Sequence, residues 1–84
     1  MSFLSTPTGP RTGAQAVDTA GGDVAVQDRV TVFTCAGAAG LINFRFQDGS
    51  EAALYFNLGQ YVPVDASDVL QAGTTATGII GLKY

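Results

Sequence analysis

The stretch Leu41–Phe56, LINFRFQDGSEAALYF, decides the fold. Up to Phe46 it alternates, with Ile42, Phe44 and Phe46 on one side and Asn43 and Arg45 on the other. A period of two marks a strand with one buried face. Asp48-Gly49 then turns the chain back. A two-residue loop would set Phe46 against Glu51 and Asn43 against Leu54, mixing apolar and polar groups on each face. A three-residue loop, Gln47-Asp48-Gly49, pairs Phe46 with Ser50, Phe44 with Ala52, Ile42 with Leu54 and Arg45 with Glu51. That register gives one apolar face and one cross-strand ion pair. It also places Gly49 where the loop needs a left-handed residue before a bulge. The expectation is therefore a β-hairpin in the second register.

Working outward, Arg29–Cys35 (RVTVFTC) is rich in β-branched residues and reads as a strand. Asp23–Gln27 (DVAVQ) reads as a short edge strand, and the small residues Ala36–Gly40 as a turn. After the hairpin, Asn57–Gln60 turns the chain again. Tyr61–Val64 is extended, and Pro63 confines it to an edge or a bulge. Asp65–Asp68 reads as a turn, Val69-Leu70 as the start of a strand, and Gln71–Thr75 as a glycine-centred bend. Ala76–Leu82 is the last strand, and Gly78 and Gly81 within it point to a bulge or the close approach of another backbone. Helical spacing is nowhere sustained. Short strands separated by turns predict an all-β protein, a small antiparallel sandwich or barrel.

Residues 1–22 lack this pattern. Pro7 and Pro10 favour extended backbone, and the composition buries too little apolar surface to order alone. The expected organisation is an extended N-terminal arm over 1–22 and a compact β domain over 23–84. Phe3 and Leu4, at the tip of the arm, gain nothing in an isolated monomer and read as an anchor for a partner.

Composition removes several classes of function. Arg11, Arg29, Arg45 and Lys83 are the only basic residues of the 84 and form no cluster, which argues against nucleic-acid binding. No apolar run approaches the ~20 residues of a membrane span, and the first residues do not resemble a signal peptide. Histidine, the usual general base and metal ligand, is absent. Cys35 is the single cysteine, so no intramolecular disulfide or thiolate metal site is expected, and it reads as a small buried hydrophobe. Asp18, Asp23 and Asp28 do not have the spacing of a calcium loop. The glycines match no phosphate-binding fingerprint. No catalytic residue, cofactor or metal is expected, and the chain is read as no enzyme.

A domain of about 60 residues buries only about 60% of its unfolded surface. With no disulfide or metal to help, association with other chains is the expected device. Tyr61, Val62 and Pro63 at an edge, and Tyr84 after a glycine-rich strand, join Phe3 and Leu4 as expected partner contacts.

Gln71–Tyr84, QAGTTATGIIGLKY, resembles the C-terminal end of a group of small structural proteins of tailed bacteriophages and gene transfer agents. Their run Gly-Thr-Thr-Ala-Thr-Gly-Ile/Val corresponds to Gly73, Thr74, Thr75, Ala76, Thr77, Gly78 and Ile79. Their upstream Gly-x-aliphatic-Pro-aliphatic segment is similar to Gly59–Val64, and the order of strands and turns fits Val30–Gly49. The chain departs from the group in Asp65 and Asp68, where members carry basic residues. The resemblance implies a virion structural protein, a capsid decoration or head-spike base subunit on the capsid surface, assembled in the host cytoplasm. Its implied partners are the major capsid protein, copies of itself and a spike or fibre protein, with no nucleic acid and no membrane. The alternatives are a head–tail or tail component, or a β module that binds host glycans through Tyr55 and Tyr61.

Overall fold

A computed structural model describes residues 12–84. Its strands are β1 (Gly13–Val17), β2 (Val24–Ala25), β3 (Val30–Ala38), β4 (Gly40–Phe46), β5 (Glu51–Phe56), β6 (Val62–Pro63), β7 (Ala66–Leu70) and β8 (Thr77–Lys83), with a single-turn 3-10 helix at Thr19–Gly21. They form two antiparallel four-stranded sheets, β1-β8-β3-β6 and β2-β7-β4-β5, packed against each other. The protein is a small all-β sandwich.

Phe33, Cys35, Ile42, Phe44, Phe56 and Val69 are fully buried between the sheets. Phe33 from β3 meets Phe44 from β4 edge to face, with ring centroids 5.0 Å apart. Phe56 lies 6.1 Å from Phe44 on the other side. Each such side chain removed from water contributes about 1.5–3 kcal/mol, and the Phe33–Phe44 contact joins the two sheets.

The central hairpin has the expected register: Arg45 faces Glu51, Phe44 faces Ala52, and Ile42 faces Leu54. Phe46 N–H donates to Ser50 O at 2.8 Å across the loop, and Gly49 has a φ of 87°. Arg45 Nε lies 3.7 Å from Glu51. Its guanidinium also reaches Asp68 at 3.4 Å, from the strand on the other side.

Four expectations need correction. The boundary at residue 22 falls too late, because Gly13–Val17 is β1 and pairs along its length with β8. Gln15 is the reason. Its amide is buried, donates to Ala25 O and accepts from Gln27 N–H, and so ties β1 to the opposite sheet. Phe3 and Leu4 lie outside the described residues. Ala36–Gly40 is no free turn, since β3 runs to Ala38 and β4 begins at Gly40. Its small side chains let the chain pass close to Thr75 and Thr77. Asp65–Asp68 is no turn either: β7 begins at Ala66, and Asp68 is drawn into the sheet opposite Arg45. Val69 and Leu70 therefore end a strand rather than begin one. Pro63 does lie on an edge strand, β6.

Candidate functional site

The register of the β1-β8-β3-β6 sheet divides its side chains into two sets. Val17, Ile79, Phe33 and Cys35 belong to the core. Their neighbours in sequence point the other way, because side chains alternate along a strand. Ala14 and Val32 flank Leu82, and Ala16 and Thr34 flank Ile80. Pro63 extends the first of these rows opposite Val32. The outer face of this sheet is thus built from alanine, leucine, isoleucine, valine, threonine and proline, with no ionisable group in either row. Val32 and Thr34 are buried, Ile80 and Leu82 half-buried, and Ala14 and Ala16 exposed. Near the middle of the face, the hydroxyl of Thr34 is buried without a hydrogen-bond partner among the described residues, a feature that native interiors rarely leave uncompensated.

The outer face of the other sheet is different. Arg45, Glu51 and Asp68 form an ion-paired cluster there, and Asn43 donates its side-chain amide to Ala72 O at 2.8 Å. One outer face carries ion pairs beside the exposed Leu41 and Tyr55; the other has no ionisable group in the two rows above.

Of the expected contact residues, Tyr61 is 63% exposed and Pro63 is exposed beside the uncharged face. Val62 is half-buried and packs against the core. Tyr84 lies elsewhere, at the end of the sandwich. The Arg29 guanidinium sits 5.3 Å from its ring centroid, a cation–π distance. Tyr84 N–H also donates to Arg29 O. Arg29 holds a φ of 70°, unusual for a residue with a side chain. These two residues border an open cleft of about 780 Å3 that also receives Asp28, Gln47, Pro63 and Asp65. Pro63 thus connects the cleft to the uncharged face.

Sequence reasoning missed the Arg29–Tyr84 pair, because only the β3–β8 register brings residues so distant in the chain together. It also missed Leu41, which is exposed opposite Tyr55 on the outer side of the hairpin. There the signal existed, since Leu41 shares the parity of Asn43 and Arg45.

The terminal run Gly73–Ile79 has a folding role. Thr74 Oγ1 accepts from Asn43 N–H and donates to Leu70 O, and Thr75 Oγ1 accepts from Leu41 N–H. Thr75 and Ala76 N–H both donate to Leu41 O. The two threonines thus finish the edge of β4 where β7 stops. Cys35 is fully buried, with its Sγ 3.4 Å from Asn57 O. Asp18 caps the 3-10 turn and Asp23 accepts from Gln71 N–H, so both serve local structure. No cluster of three or more metal-ligating side chains occurs among the described residues. Comparison with known proteins gives no match, whether to family models, to curated proteins or to solved structures.

Proposed function

We propose that this chain is a virion structural subunit of a tailed bacteriophage or gene transfer agent. It acts as a capsid decoration or head-spike base protein that binds the capsid lattice and copies of itself. The observation that carries the reading is the uncharged outer face of the β1-β8-β3-β6 sheet. Ala14, Ala16 and Pro63 are exposed there, with Ile80 and Leu82 half-buried between them, and an uncharged strip of this kind suits contact with another protein. The resemblance of Gly59–Val64 and Gly73–Ile79 narrows the partner to a virion. Repeated weak contacts across a symmetric lattice would then hold the subunit by avidity.

The test is a copy count of this chain against the major capsid protein in purified particles. A number matching the lattice positions indicates decoration, and a small fixed number indicates a spike base or a head–tail position. Absence from the particles overturns the reading. Within the particle, Ile80→Glu puts a charge in the middle of the uncharged face. It should cut incorporation by at least about tenfold, while circular dichroism shows an intact sandwich. Incorporation at the wild-type level would exclude this face as the docking surface. Glycan binding lost on Tyr61→Ala would replace the virion reading by that of an adsorption module.

A further inference from the structure

The four sheet edges are unequal. β2 and β6 are two residues long, and β6 carries Pro63. β1 is tied to the opposite sheet through Gln15. β5 runs six residues, Glu51–Phe56, in unbroken register with β4. Its segment has no proline, lysine or bulge, the usual means of blunting an edge.

Hydrogen-bond parity shows what this edge offers. Phe46 N–H donates to Ser50 O, so the even-numbered residues of β5 turn their backbone groups toward β4. The amides of Leu41 and Asn43 point away from β5, toward Thr75 and Thr74, as that parity requires. The N–H and C=O groups of Glu51, Ala53 and Tyr55 therefore face outward, and no hydrogen bond among the described residues engages them from that side.

We infer that β5 pairs antiparallel with β5 of a second copy about a two-fold axis at Ala53. Only the odd-numbered residues offer free groups, and centring on Ala53 uses all of them. Ala53 meets Ala53 of the other copy, and Glu51 meets Tyr55 in both directions, giving about six backbone hydrogen bonds. No carboxylate faces a carboxylate, whereas centring on Glu51 would oppose two. On the inner side, exposed Ala52 meets half-buried Leu54, so the apolar layer continues across the junction. The product is an eight-stranded sheet in which β5 is no longer an edge. So short a strand pair is a small interface, suited to a subunit that works in many copies. The inference deepens the self-association part of the reading above but rests on backbone geometry alone, and it is tested without a capsid.

The experiment uses the full chain carrying Ala53→Cys, with oxidised glutathione as oxidant. Cys35 is fully buried, so the new thiol is the exposed one. Opposed Cα atoms in a hydrogen-bonded antiparallel pair lie about 5.5 Å apart, within disulfide reach. Ala53→Cys should cross-link at least about tenfold faster than Glu51→Cys. Absence of a cross-link, or equal rates, overturns the register. In the unmodified chain, the amides of Ala53 and Tyr55 should exchange at least about tenfold more slowly as concentration rises, with Leu54 unchanged. Exchange independent of concentration overturns the pairing. Ala53→Pro removes an outward donor and no internal bond, so it should remain folded and weaken dimerisation by about thirtyfold or more. Deleting residues 1–11 should leave the dimer intact. Its loss would identify that segment as the occupant of the edge and overturn the inference. Particle incorporation probes the uncharged face and these measurements probe β5, so either can fail without the other.

Discussion

The turn of the β4–β5 hairpin and the start of β8, just past the β7–β8 crossover, each hold a glycine at positive φ, and they do so by different physics. At the hairpin, Gly49 has open space around it. Its loop is closed by Phe46 and Ser50 backbone groups and by Asp48, which accepts from the amide and the hydroxyl of Ser50. Everything needed lies within a few residues. Gly78, the second residue of β8, holds a φ of 66°, and a Cβ there would lie 2.5 Å from Gly37 N. Gly40 is pressed against Thr75 in the same way. The chain leaves one sheet for the other, and threonine hydroxyls stand in for the missing strand along β4. A local turn tolerates change in its glycine; a strand glycine packed on a neighbouring backbone does not.

Substituting the two glycines separates the cases most sharply. Gly78→Ala adds both left-handed strain and a backbone clash and should cost about 3 kcal/mol or more, read by urea denaturation. Thr74→Val comes next. It strips the acceptor from Asn43 N–H and the donor from Leu70 O, and should cost about 2 kcal/mol. Thr74→Ser should recover most of that loss. Gly49→Ala meets only the conformational penalty, so about 1 kcal/mol is expected. A loss at Gly49 equal to that at Gly78 would remove the distinction between the two sites.

The smallest effect concerns Asp48. The hydroxyl of Ser50, and then its amide, hold this carboxyl below its ordinary value of 3.8. The folded state thus favours the ionised form. Its contribution is present above the unfolded value and is lost as pH falls through the folded one. Denaturation of wild type and Asp48→Asn across pH should show the wild-type advantage at neutral pH, shrinking below about 4. An advantage independent of pH would mean that the turn does not depend on the charge.

The same contrast explains what was legible. The hairpin register followed from alternation plus one loop, since a slip by one residue would have exposed Phe44 and Ile42. Pro63 announced an edge or a bulge because it has no amide to donate, and the edge is what forms. Asp65–Asp68 misled because aspartate and serine favour turns locally. The pairing of Asp68 with Arg45, and of Ser67 Oγ with Arg45 O, outweighs that preference. Ala36–Gly40 misled because small residues mark both turns and close packing, and composition does not distinguish them. Residues 13–17 were hidden because Gln15, polar in sequence, is buried by partners ten and twelve positions away.

For the candidate surface, alternation alone would have marked Val32, Thr34, Ile80 and Leu82 as strand residues. Which side was core depended on Phe33 and Cys35 meeting the other sheet.

By itself, then, the sequence determined the all-β character, the hairpin with its register and ion pair, and the edge position of Pro63. Each of these rests on residues close enough for a period or a turn to express. Only the tertiary structure decided which sheet joins β1, how Thr74 and Thr75 complete β4, and that the outer rows of one sheet carry no charge among the described residues. Those features depend on contacts between residues far apart in the chain, where close approach and unpaired backbone groups, not local preference, select the arrangement.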